Sequence, residues 1–313
     1  MRLFAFVVTV LSATALSAGV IGECRRSPGD SSLSGIASVG DGTYWAVCDD
    51  GHVVRGRVGF ESGDRGGPTS WTRLDRFKCR EIDDSEGIAY DRSDGTLWVS
   101  DETGPEIWHV DPKVRRVVGK VTVPAVFRTA EPNRGFEALA IADDALTMWT
   151  ANEAELPGDA DTDCVRLQRF SRPSVTNEWR ASGQWAYRLT PDTEGKRKRK
   201  SRSGLAELCV SPTGGLLALE REQFKGRKAE SQFRLRLFRI VFEGATDVSG
   251  TASLRSGGFT PVRKVALCDM PTWNARYEAI CVGPKLADGS DCYLLVSDGD
   301  KDCDEKVMLL SVP

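Results

Sequence analysis

Histidine is nearly absent from this chain, with His52 and His109 the only two in 313 residues. No G-x-S-x-G segment is present either, so a Ser-His-Asp hydrolase of the usual kind lacks its parts. The nine cysteines include no Cys-x-x-Cys pair, which excludes a zinc ribbon and a thioredoxin-like redox site. Beyond the N-terminus no apolar run approaches the roughly 20 residues of a membrane span. Net charge is −3 and the pI about 5.7, so nothing draws the chain as a whole to nucleic acid or an anionic membrane.

At the N-terminus, Arg2, the apolar run LFAFVVTVLSATALSA and small residues near Ala18 have the pattern of a secretory leader over residues 1–22. Residues 23–313 then form the mature part, expected to be one exported, soluble domain and a monomer. In an oxidising compartment the cysteines predict disulfides. The most local pairs are Cys292 with Cys303, Cys48 with Cys79 and Cys209 with Cys268; equally, Cys209 and Cys281 suit small buried apolar positions.

Five stretches share one plan: Ser34–Asp49, Ser85–Glu102, Phe136–Glu153, Leu205–Glu220 and Tyr277–Asp298. Each runs through small and apolar residues, breaks at a turn, resumes with β-formers and ends on an acid, which is the pattern of a β-hairpin. Aligned on the first strand, the copies place Ala37, Ala89, Ala140, Cys209 and Cys281 at one small position. The opening position reads Ser34, Glu86, Glu137, Ala206, Glu278. The closing position reads Asp49, Glu102, Glu153, Glu220, Asp298. Glu207 is offset by one from the acid column and belongs to the other face of its strand.

Spacings of 52, 51, 69 and 72 residues between copies suit four-stranded antiparallel units, the later two with insertions at 157–164, 190–203 and 244–258. The last unit retains one strand after its hairpin, over 306–312, and residues 23–30 are free to complete it. These features predict an all-β fold, a β-propeller closed by both termini, most simply with five blades. Six is the alternative if a long unit hides a degenerate blade. Crowding at a narrow central channel accounts for the small residues on the first strands.

Rotational repetition then gathers Asp49, Glu86, Glu102, Glu137, Glu153, Glu220, Glu278 and Asp298 on one face. Like-charged carboxylates a few ångströms apart repel strongly, and a cation relieves that repulsion. All-oxygen ligands from several loops suit Ca²⁺ better than octahedral Mg²⁺. The competing explanation pairs some of these acids with Arg80, Arg134, Arg221 or Arg276. A basic run, Lys196–Lys200 with Arg202, reads as a solvated loop between the third and fourth units, or as a clamp for phosphate.

The succession DSEGIAYD, VSDE, NRGFEALA, WAYRLTP, GGLLALERE and NARYEAICVGPKLADGSDCYLLVSD resembles the phytase-like family of exported propeller proteins, over nearly the whole mature chain. The resemblance implies a propeller, export and a phosphoester-directed activity. It marks Asp49, Glu86, Glu102, Asn133, Gly135, Glu137, Glu153, Tyr187, Glu220, Asn274, Glu278 and Asp298. At the last motif the family tends to show Asp followed by Asn, whereas this chain has Asp298, Gly299, Asp300 and Lys301.

These readings lead to a secreted Ca²⁺-dependent phosphoester hydrolase acting on a small anionic substrate. Glu86 and Glu137 are the candidate catalytic acids; Arg134, Arg276, Asn133, Asn274 and Tyr187 are candidate substrate contacts. A non-catalytic propeller with a structural metal and a ligand-binding or protein-binding face is the alternative.

Overall fold

A computed structural model of the chain describes residues 18–26, 32–62, 66–190, 201–224, 232–299 and 303–312. Period-two alternation and turn residues divide the described residues into twenty strands, which pair into five antiparallel sheets of four. Blade one comprises β2 (Leu33–Ser38), β3 (Thr43–Cys48), β4 (His52–Phe60) and β5 (Pro68–Lys78). Blade two comprises β6 (Ser85–Asp91), β7 (Thr96–Asp101), β8 (Glu106–Asp111) and β9 (Arg116–Lys120). Blade three is β10 (Phe136–Ile141), β11 (Thr147–Asn152), β12 (Cys164–Ser171) and β13 (Arg180–Arg188). Blade four is β14 (Ser201–Val210), β15 (Leu216–Phe224), β16 (Gln232–Val241) and β17 (Arg263–Trp273).

Blade five joins the two termini. Its inner strands β18 (Arg276–Val282) and β19 (Cys292–Asp298) are followed by β20 (Lys306–Ser311), and β1 (Gly19–Arg25) completes it by pairing with β20. The pairing runs from Gly19 opposite Ser311 to Arg25 opposite Lys306. The strand therefore begins at Gly19, inside the segment expected as leader. The inner strands β2, β6, β10, β14 and β18 each touch the next, and β18 touches β2. The ring is thus a five-bladed β-propeller, and the six-blade alternative falls. The extra length of the long units goes into insertions and, in blade four, into strands of nine to eleven residues. Two insertions are clipped together: Arg166 donates to Asp159 at 2.6 and 2.8 Å and to the Thr251 carbonyl at 2.8 Å, and Asp159 accepts from Leu254 N at 2.7 Å.

Side chains on the inner strands interlock from blade to blade. The small position of each blade shares a core cluster with a large aliphatic of the following blade: Ala37 with Ile88, Ala89 with Leu139, Ala140 with Leu208, Cys209 with Ile280, Cys281 with Ile36. The small positions line a narrow slot on the axis together with those aliphatic residues. Cys209 and Cys281 are therefore buried apolar fillers, and none of the expected disulfides is formed among the described residues.

Every inner strand carries a bulge at its opening position: the register with its partner slips across Ser34, Glu86, Glu137, Ala206 and Glu278. An extra residue in one strand re-aims its side chain away from the ladder. Here the fold turns the opening residues toward the axis. Just beyond, the inner strands come so close that a Cβ on Gly35 would lie 2.3 Å from the Glu86 carbonyl oxygen, and one on Gly87 2.6 Å from Leu139 N. Only glycine permits that approach.

Candidate functional site

The bulges and the ends of the second strands deliver polar side chains to one cavity of about 210 Å³ on the axis. It is lined by Asp49, Glu86, Glu102, Glu137, Glu153, Glu278 and Asp298, together with Ser34, Asp84, Asn133, Arg202, Arg221, Gln223 and Arg276. Seven of the eight carboxylates expected in the ring meet there. Two residues beyond the bulges, Ile36, Ile88, Leu139, Leu208 and Ile280 line a separate small apolar slot further along the axis. The guanidinium of Arg92 bonds to the Val39 and Ser38 carbonyls in the wall of that slot.

Glu220 is the exception and requires a correction. Leu205 pairs with Glu220 as Leu33 pairs with Cys48, Phe136 with Asn152 and Tyr277 with Ser297, so the closing position of blade four is the following residue, Arg221. Successive strand residues point to opposite faces, so Glu220 turns away from the axis. It is fully buried and accepts from Tyr187 Oη at 2.7 Å, Thr190 N at 3.0 Å and Lys264 Nζ at 2.6 Å. Tyr187 is buried with it and does not reach the cavity. Among the other expected substrate contacts, Asn133 and Arg276 line the cavity. Arg134 instead lines a neighbouring cleft and pairs with Glu131 at 3.7 Å. Asn274 is an exposed turn residue with φ 53° outside the cavity lining, and Arg80 is also exposed. Asp300 and Lys196–Lys200 lie outside the described residues; Arg202, the last of the basic run, lies on β14 and donates to Glu153 at 2.9 Å.

The cavity has two different walls. Blades three to five supply Arg221, whose Nη2 donates to Glu153 at 2.8 Å and lies 3.9 Å from Glu137, while its Nη1 pairs with Glu278. Arg276 pairs with Asp298 and stands 3.5 Å from Glu278. Blades one and two supply acids and the Ser34 hydroxyl, with no guanidinium among their lining residues. Asp84, Glu86 and Glu102 bring one carboxylate oxygen each within 4.8 Å of one another, and Asp49, bonded by the Ser34 hydroxyl, stands beside them. Asp84 was missed in the sequence because it precedes the hairpin and has no counterpart in the other copies, although the run Asp83-Asp84-Ser85-Glu86 signals it.

Eight carboxylates against three guanidinium groups would leave an excess of five negative charges in one cavity if every group were ionised. Proton affinities respond accordingly. Burial, then Glu137, Glu278, Asp49 and Glu102, pushes the Glu86 carboxyl well above the ordinary range. Glu137 is raised by burial and by Glu153, with Arg221 opposing. Glu102 is pushed up to about 8 by burial, Glu153 and Asp84, against the pull of Arg202 and Arg221. Asp84 is raised by burial and by Asp49, Asp101 and Asp83. Burial disfavours the Arg221 charge, but Glu278, Glu153 and Glu137 outweigh it and hold the guanidinium firmly protonated. Close, oxygen-only and under-neutralised, the blade-two cluster fits a hard divalent cation.

Glu207 lies outside this cavity lining. It is buried, its Oε1 accepts from Leu139 N at 2.8 Å and Leu208 N at 3.0 Å, and its Oε2 has no partner among the described residues.

Fold and site together define a five-bladed β-propeller with an acid-lined axial pocket. The chain belongs to the phytase-like family, described as "esterase-like activity of phytase", which it matches over residues 31–301. It is 27% identical over 186 residues to an uncharacterized secreted protein of Arthroderma benhamiae, across 47% of this chain and 36% of that protein. The chain thus spans about a third of that relative's length. Among solved structures it resembles Kuenenia stuttgartiensis hydrazine synthase (10% identity, TM-score 0.39, 92% of this chain and 59% of that one). It also resembles the WD40 β-propeller domain of Doa1 (9% identity, TM-score 0.38, 94% and 96%). No helix among the described residues is long and apolar enough to cross a membrane.

Proposed function

We propose that this phytase-like propeller is an exported, Ca²⁺-dependent hydrolase of phosphate esters that works in the axial pocket. The observation that carries this reading is the two-walled cavity, with a cation-seeking carboxylate cluster facing guanidinium groups across one small space. A phosphate ester is an anion that needs positive charge on more than one side, and such a cavity supplies it once a cation is held. Calcium among the ring carboxylates would supply charge to the phosphate oxygens.

The chain's own residues do the rest. Glu86, a half-buried member of the cluster whose carboxyl feels Glu137, helps to hold the cation next to the reacting centre. Arg202, with about half of its side chain exposed and one contact to Glu153, has donors left for substrate oxygens, and Arg276 lies on the same wall. Glu137 takes the proton of the attacking water, its affinity raised by burial and by Glu153, with Arg221 opposing. The water oxygen bonds to phosphorus, the ester P–O bond breaks, and the alcohol leaves with a proton from solvent.

Phosphate release from phytate and from an aryl phosphate, measured with Ca²⁺ and with chelator, tests this. Calcium-dependent release that disappears in a folded Glu137→Gln variant is expected. No release in any condition, with a calcium-dependent rise in melting temperature, leaves instead a non-catalytic propeller stiffened by its metal.

A further inference from the structure

Four of the five blades end their second strand on an acid at the axis: Asp49, Glu102, Glu153 and Asp298. Blade four ends on Arg221 and opens on Ala206, so it brings no carboxylate to the cavity at either position. The guanidinium compensates for that lack by reaching both neighbours. It bonds to Glu153 of blade three and Glu278 of blade five, with Glu137 at 3.9 Å, and only 12% of its side chain is exposed. A calcium ion needs 2.3–2.6 Å contacts to several oxygens. On this wall Glu153 Oε1 and Glu278 Oε1 are already occupied by a planar cation that cannot lose its proton.

The opposite wall is different. Asp84, Glu86 and Glu102 have no hydrogen bond or ion pair to their carboxylates among the described residues, yet they lie within mutual ligand distance. A second observation points to the same space. Asp298 lines the cavity from blade five, which adjoins blade one, and its Oδ1 is buried without a partner among the described residues. One of its oxygens is held by Arg276 and the other is left without a partner in the wall of the same cavity.

We propose that Arg221 is a built-in cation standing where a symmetric ring would hold a second metal. The pocket then takes a single divalent ion, seated on the blade-one and blade-two wall by Asp84, Glu86 and Glu102, with Asp49 and Asp298 at its flanks. The inference rests on the reading that the cavity binds calcium, and it adds the number of ions and their place. An arginine at the closing position also makes the pocket one-sided, so that a bound anion has one orientation, between the ion and the guanidinium wall.

The test is calorimetric titration of chelator-stripped protein with Ca²⁺. Wild type is expected to bind one ion. Glu102→Gln weakens it by at least about 10–100-fold, the scale on which metal sites respond to loss of even a supporting group. Glu278→Gln leaves one ion bound, weakened less than by Glu102→Gln, and Arg221→Gln, by freeing Glu137, Glu153 and Glu278, raises the count to two. Two or more ions on wild type, no ion at all, or a Glu278→Gln variant that loses its ion would overturn the proposal. Glu102→Gln and Glu278→Gln both keep Arg221 and decide the matter even if Arg221→Gln fails to fold. One ion bound without any phosphate release would sink the hydrolase reading and leave this one standing.

Discussion

Arg221 and Glu153 occupy the same structural position in adjacent blades, and the guanidinium of the one donates to the carboxylate of the other at 2.8 Å. A fivefold plan that would stack like charges around an axis is thereby broken at one blade. The exception binds its neighbours together instead of repelling them, and Asp84, Glu86 and Glu102 across the cavity have no ion pair among the described residues.

Removing that guanidinium leaves Glu153 and Glu278 buried beside Glu137 with most of their positive charge gone. Breaking a buried ion pair from one side costs about 3–5 kcal/mol, because the remaining charge keeps its desolvation penalty. In chelator, Arg221→Gln is expected to lower unfolding free energy by about that amount, with calcium restoring part of it. Urea unfolding of both proteins, with and without calcium, checks this; equal midpoints in chelator would contradict it.

Stability without metal should fall as pH rises. The unfolded chain releases glutamate protons near 4.5, whereas folded Glu102 keeps its proton up to about 8, and Glu86 and Glu137 are raised as well. Between those values the folded state binds more protons than the unfolded one, so each step upward in pH favours unfolding. The contribution of Glu102 is complete below about 4.5 and gone above about 8. Urea midpoints in chelator are expected to decline from pH 5 to pH 8.5, and saturating calcium should flatten the decline. A midpoint that rises over this range would refute the cause assigned to these shifts.

The hairpins were legible because each is local: period-two alternation, a turn, and an acid at the far end lie within about twenty residues. Their gathering at one cavity followed from repetition alone. The slip at blade four had a physical reason. Glu220, Arg221 and Glu222 alternate in sign along one strand, and a one-residue error exchanges the two faces. Only the pairing of Leu205 with Glu220 shows which of the three meets the axis. Tyr187 and Lys264 reach Glu220 across 33 and 44 residues, contacts that no local pattern encodes. Asp84 escaped because it precedes a repeat, and Arg202 was visible only as one charge in a basic run.

With no disulfide among the described residues, redox conditions should not matter to the fold. All nine thiols are expected to react with a thiol reagent after unfolding, and the melting temperature to agree within about 1 °C with and without reductant, well under the several degrees that a stabilisation of about 1 kcal/mol would produce. Fewer than nine reactive thiols would show that exported material closes a bridge absent here.

The interlock of small and large residues sets a steric limit on the inner strands. Leu139 of blade three and Ala89 of blade two are buried in one core cluster. Ala89→Leu is expected to cost about 1–3 kcal/mol by overpacking, and Leu139→Ala about 2–5 kcal/mol by leaving a cavity. If the two changes together restore stability relative to either alone, as thermal unfolding would show, the pairing across the blades is direct; strict additivity would argue against it.

Closure of the ring bears on processing. Strand β1 seals the outer edge of blade five, with Glu23 bonded by Tyr277 and by Lys306 at 3.0 Å, and Arg26 donating to the Ser297 carbonyl at 2.9 Å. A leader ending at residue 22 would discard the first four of its seven residues, including the pairs of Gly19 with Ser311 and Val20 with Leu310. Cleavage at the small residues up to Ala18 would keep the strand whole. Intact mass of the exported protein is therefore expected to place the mature N-terminus at or before Gly19. A chain made to start at Ser32 should lose stability and self-associate through the bared edge of β20, since an unpaired strand edge is a template for another chain. A monomeric Ser32 form as stable as the longer chain would show that the propeller closes without its N-terminal strand.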